Sequence, residues 1–174
     1  MAEYRDHHAT IFVAPEAAGA IEAVRREWDP GMAAQIAAHV TVAYPREAPL
    51  IDLLVERLRI VTARMAPFRL RLGERAWSGH SEDAVVVKVE DIEGGCRRLR
   101  EAILRSPFHA VTVSPHVTLV HPRTSRRGRE FWDTGWRYEG VDFTADEVTV
   151  TGFDGAAWVT LLRFALKGRE RRSA

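Results

Sequence analysis

At 174 residues, 46% hydrophobic and 28% charged, the chain has the composition of a soluble globular protein and the length of a single domain spanning 1–174. A net charge of +1 argues against wholesale coating of nucleic acid, and no apolar run approaches the roughly 18–20 residues of a membrane span. Cys96 is the only cysteine, which excludes an intrachain disulfide, and the opening residues lack the basic-then-apolar order of a signal peptide, so the expected location is the cytoplasm.

In chain order, residues 9–14 read as a first strand. Ala17, Ile21, Val24 and Trp28 then recur at helical spacing over 16–28, and Asp29-Pro30-Gly31 is expected as the turn that ends the helix. A strand over 39–44 follows. A second amphipathic helix carries Ile51, Leu54, Val55, Leu58, Val61 and Met65 and stops before Pro67. Phe68, Leu70 and Leu72 alternate with Arg69 and Arg71 in a half-buried strand, which turns through 78–83 and returns over 84–89. A third helix is expected over 91–105 with Asp91 as its cap, although Gly94-Gly95 weakens the first turn. A strand over 111–120, an arginine-rich loop over 123–129 and a short stretch holding Phe131, Trp132 and Trp136 come next. Two closing strands, 147–153 and 158–166, lead into a basic tail that should fray from about 167. The order is α+β with two similar halves.

One sequence occurs twice. His39-Val40-Thr41-Val42-Ala43-Tyr44-Pro45 and His116-Val117-Thr118-Leu119-Val120-His121-Pro122 repeat histidine, valine, threonine and proline at one spacing, 77 residues apart. Each copy reads as a strand stopped by its proline. Side chains two apart share a strand face, so His39 pairs with Thr41 and His116 with Thr118, while the valines point into a core. Two polar pairs facing one cleft make a site. A histidine on each side can take and give protons near neutral pH, and threonine hydroxyls can donate to the non-bridging oxygens of a phosphate. That set suffices for in-line transfer at phosphorus without a metal. No carboxylate stands at ligand spacing from either motif, and no P-loop or dinucleotide fingerprint occurs, so neither metal nor cofactor is expected.

A third H-x-T, His8-Ala9-Thr10, breaks the two-half symmetry, and His8 reads as a surface residue ahead of the first strand. Tyr44 could stack on a base. His121 is an odd number of residues from His116 and should face away unless the strand bends at Pro122. Arg123, Arg126, Arg127 and Arg129 sit at the mouth of the second motif strand, where arginine suits a phosphate backbone. His80 and His109 read as turn or surface residues, and Cys96 as core.

The two H-V-T motifs resemble those of the 2H phosphoesterase superfamily, which includes 2′-5′ RNA ligase-like proteins and cyclic nucleotide phosphodiesterases. The resemblance covers nearly the whole chain, including the aromatic first strand at 10–13 and the ending at 158–164. It implies a bilobed fold of two ferredoxin-like halves related by a pseudo-twofold, with both motif strands lining a central groove. It implies His39 and His116 as the catalytic pair, with Thr41 and Thr118 holding the phosphate. Relatives often carry arginine five places after the second histidine; here that place is His121, with Arg123 close behind. The implied activity is hydrolysis of a 2′,3′-cyclic phosphate on an RNA end or small nucleotide, with 2′-5′ RNA ligation as its reverse; apart from the resemblance, a monomer is the default expectation. The competing expectation is a non-catalytic RNA- or nucleotide-binding module on the same fold.

Overall fold

A computed structural model describes residues 4, 6–78 and 84–168. Strand β1 (His7–Phe12) leads through helices α1 (Pro15–Trp28) and α2 (Pro30–Gln35) to β2 (His39–Ala43). Helix α3 (Ile51–Thr62) precedes β3 (Phe68–Trp77) and β4 (Val85–Asp91). Helix α4 (Gly95–Ile103) then leads to β5 (His116–Val120). Helix α5 (Gly128–Asp133), β6 (Val141–Ala145), β7 (Glu147–Phe153) and β8 (Trp158–Ala165) complete the described elements. The strands form two four-stranded antiparallel sheets, in the orders β2-β1-β7-β8 and β5-β4-β3-β6.

The two orders superpose: β2 matches β5, β1 matches β4, and each matching pair of strands is joined through helix. The end strands β2 and β5 lie against each other, so the two halves meet along the two copies of the repeat. This is the expected α+β architecture in two halves.

Local chemistry explains most elements. Helix α1 starts on Pro15, whose fixed φ suits the first helical position, and buries Ala17, Ile21 and Val24. Strand β3 buries Phe68, Leu70 and Leu72 and exposes Arg69 and Arg71, which meet Glu93 and Asp142. Helix α4 buries Cys96, Leu99 and Ile103. Its Gly95 lies directly on Phe68, and a Cβ there would overlap the aromatic ring.

Several expectations are corrected. Asp29-Pro30-Gly31 is not a plain turn: the Asp29 carboxylate accepts the N–H of Met32 and caps α2, which begins at once on Pro30. Helix α4 begins at Gly95 rather than 91, because Asp91 still belongs to β4. From there its carboxylate accepts the N–H groups of Cys96 and Arg97, so it caps the helix from outside. Strand β5 begins only at His116, and Val111 is exposed. Strand β6 was not anticipated. Its five residues are separated from β7 by Asp146 alone, and the chain changes sheet at that point. The hairpin turn expected at 78–83 lies, beyond Ser78, outside the described residues, as do His80 and the tail after 168. No helix among the described residues is long and apolar enough to cross a membrane.

Candidate active site

The two motif strands are alike in every respect that positions a side chain. Histidine and threonine are half-buried in both, and the residues between and after them are fully buried. Each strand carries the same bulge: β2 has Val42 as an extra residue opposite Ala9 and Thr10, and β5 has Leu119 opposite Val85 and Val86. A bulge bends its strand and re-aims the neighbouring side chains, and here it falls one residue after each threonine.

The histidines are held identically. His39 Nδ1 lies 2.8 Å from the Ala37 carbonyl oxygen, and His116 Nδ1 lies 2.9 Å from that of Ser114. A carbonyl only accepts, so Nδ1 carries a hydrogen in both rings, which leaves Nε2 as the nitrogen that gains or loses a proton. The rings are close enough that charge on His116 acts on His39. Desolvation is the largest influence on His39 and, with the nearby Arg25 guanidinium and His116, overrides the Ala37 hydrogen bond to push its pKa down to about 4. At neutral pH the His39 ring is therefore an uncharged acceptor.

Around His39 stands a wall of rings. Phe12 and His8 meet it edge-on, with centroids at 6.2 and 5.4 Å. His8 is not the surface residue expected from the sequence. It lies within β1, is 6% exposed, and stacks on Trp158 at 3.9 Å. Burial, and secondarily His39, holds its pKa well below the usual imidazole value. Among the described residues its Nε2 has no hydrogen-bond partner, and neither has the hydroxyl of Thr151, its register partner on β7. The missed signal was alternation: His8, Thr10 and Phe12 share one face of β1, and Thr10 and Phe12 are register partners of Thr41 and His39.

Two buried carboxylates that sequence reasoning did not single out fix the ends of the motif strands. Glu47, 1% exposed, accepts the N–H of Tyr44 at 2.9 Å and that of Val111 at 2.8 Å. It also pairs with Arg100, whose guanidinium bonds the carbonyls of Val42 and Val111. Asp29, fully buried, accepts the N–H of His121 and the hydroxyl of Thr124, each at 2.8 Å. Tyr44 and His121 occupy the same place in the two copies, so each strand end is clamped by a carboxylate at one equivalent N–H.

The softer candidates divide. Tyr44 is half-buried, and burial raises the pKa of its phenol. His121 follows the last strand residue, and its Nδ1 accepts the Arg123 N–H. Burial, then the Arg123 charge, lowers its pKa. Arg123 is exposed. Arg127 lies over the Trp28 ring and pairs with Glu130, and Arg129 pairs with Asp133. His109 is exposed. Cys96 is core, its thiol pushed up to about 12 mainly by burial. A cavity of about 350 Å³ opens beside Phe12, but Glu16, Asp146 and Glu147 line it, and their charges would repel a phosphate.

The model of the 2′-5′ RNA ligase superfamily matches residues 13–156. Among solved structures the chain is similar to TT0787 of Thermus thermophilus, at 20% identity and a TM-score of 0.61, covering 95% of this chain and all of that one. It is also similar to E. coli LigT complexed with 3′-AMP, at 18% identity and a TM-score of 0.64, covering 94% and 99%. The LigT complex with NADP+ gives 19% identity and a TM-score of 0.62 over 95% and 99%. At these identities the likeness is one of fold. No curated protein matches by sequence. The family model, by contrast, takes in far more than half of the residues, and on that ground the chain belongs to the 2′-5′ RNA ligase superfamily.

Proposed function

We propose that this protein is a metal-independent phosphodiesterase that opens a 2′,3′-cyclic phosphate to a 2′-phosphate, with His39 and His116 as its catalytic pair. The observation that carries the reading is the pair of imidazoles held alike by backbone carbonyls, each with a threonine two places on along the same strand face. The ligands complexed with LigT, among them 3′-AMP, NADP+, phosphate and ATP, lend support from a protein of the same fold.

His39 enters neutral with a free lone pair, which suits it to take a proton from the attacking water. Oxygen of that water bonds to phosphorus, the P–O3′ bond breaks, and His116 gives its proton to the departing 3′ oxygen. The Thr41 and Thr118 hydroxyls donate to the non-bridging oxygens as charge builds there. With a 5′-hydroxyl in place of water as the nucleophile, the same course joins RNA through a 2′-5′ bond.

The test is a panel of 2′,3′-cyclic nucleotides and 2′-5′-linked dinucleotides, with products identified by phosphorus NMR in the presence of EDTA. Turnover should persist with EDTA and fall roughly 10²–10⁴-fold in His39→Ala and in His116→Ala. Full activity in either variant removes the mechanism. Binding without any turnover by the wild-type protein would favour a binding module instead.

A further inference from the structure

The repeat runs further than the threonines. Arg46 stands seven places after His39, and Arg123 seven places after His116, each directly after the motif proline. The backbone repeats with them. The N–H groups of Glu47 and Ala48 return to the carbonyl of Tyr44, and those of Thr124 and Ser125 return to the carbonyl of His121. The same turn therefore presents an arginine at the same place in both halves. Both side chains are exposed, and neither guanidinium is hydrogen-bonded or ion-paired with a described residue. Other exposed arginines occur, such as Arg26 and Arg59 on helices, but neither follows a motif proline.

The clamps fix where the two turns sit. Glu47 ties the turn after β2 to Val111, on the segment that enters β5. Asp29 and the Trp28 carbonyl tie the turn after β5 to the α1–α2 junction, which precedes β2, through His121, Thr124 and Ser125. Each turn is thus anchored to chain that precedes the opposite motif strand. An exposed guanidinium at a fixed turn is a ready bidentate partner for a phosphate.

We propose that Arg46 and Arg123 are paired backbone-phosphate contacts, one at each end of the groove, and that the substrate is an oligonucleotide strand carrying phosphates on both sides of the reacting one. This rests on the phosphodiesterase reading above and narrows its substrate class from small nucleotides to strands. A 2′-5′ linkage inside a strand engages both arginines. An RNA ending in a cyclic phosphate continues in one direction only and engages one.

The experiment compares Arg46→Gln, Arg123→Gln and the double variant on three substrates: 2′,3′-cyclic AMP, an RNA hexamer ending in a cyclic phosphate, and a hexamer with a central 2′-5′ linkage. Relative to the cyclic mononucleotide, each single variant should raise KM about tenfold on the centrally linked strand, the size of one charge-assisted contact, with kcat little changed. On the RNA ending in a cyclic phosphate only one of the two variants should do so. The slope of log Kd for a single-stranded hexamer against log salt should become shallower by about 0.7 for each arginine removed. Equal losses on all three substrates, or an unchanged salt slope in the double variant, overturn the proposal. If the wild-type protein turns over none of them, the phosphodiesterase reading fails, and the salt slope alone still decides the role of the arginines.

Discussion

Asp29 and His121, 92 residues apart in the chain, are joined by a single hydrogen bond from the His121 backbone N–H to the Asp29 carboxylate at 2.8 Å. The same carboxylate serves Met32 and Thr124, so one fully buried group secures a helix start, a strand end and the contact between the halves. Asp29→Ala would leave those donors unpaired in the interior. The expected loss is about 3–5 kcal/mol of unfolding free energy, read by urea denaturation, because each orphaned donor costs its own desolvation. A change below about 1 kcal/mol would mean that water replaces the carboxylate freely.

Glu47 and Arg100 do the corresponding work after β2, as an ion pair of which the acid is 1% exposed. Removing one partner strands the other, so Glu47→Gln and Arg100→Met should each destabilise by roughly 3–5 kcal/mol. The double replacement Glu47→Leu with Arg100→Met should cost less than the two singles combined, since no charge is then left unpaired. Strict additivity in that cycle would show that the pair is not coupled.

Acid should weaken the protein through its histidines. Folding lowers the pKa of both His8 and His39, chiefly by desolvation, so their contribution is fully present above the ordinary imidazole value near 6.5. It is lost as pH falls from there toward about 4, where the unfolded chain binds protons that the folded chain refuses. Unfolding free energy measured between pH 7 and 4 should therefore fall, and His8→Phe should flatten the curve. By the same cause the acid limb of kcat/KM should lie well below pH 6.5. An acid limb at 6.5 or above would deny His39 the role of base.

His8 also invites a direct substitution. Its ring stacks on Trp158 while its Nε2 is buried without a partner among the described residues. His8→Phe keeps a stacking ring and removes the orphaned atom, so stability should rise by about 1 kcal/mol. His8→Ala should lower it by several kcal/mol through the space left under Trp158. Thermal denaturation of the two variants decides: a loss in both would mean that Nε2 does have a partner in solution, a bound water being the simplest.

Much of this was legible from residue order. The alternation in β3, the apolar stripes of α1, α3 and α4, and the twofold H-V-T repeat each follow from local periodicity, which a chain reveals without its fold. His8 was misread for a physical reason: the same H-x-T spelling occurs at 8–10, and nothing in those residues says that Trp158 covers them. Strand β6 escaped because a run of only five residues carries too short a period to stand out from the loop before it. Asp29 read as an ordinary turn former, since its partners at 121 and 124 leave no mark on its neighbours.

Residue order by itself thus determined which side chains turn outward on the two motif strands, because a strand's period of two is written into its composition. Tertiary structure alone decided the rest: that the strands meet, that each bulges one residue after its threonine, and that buried carboxylates hold their ends. It also decided that His39 stays uncharged, because desolvation belongs to the surroundings of a group, and those surroundings come from Phe12, His8 and Arg25 at distant places in the chain.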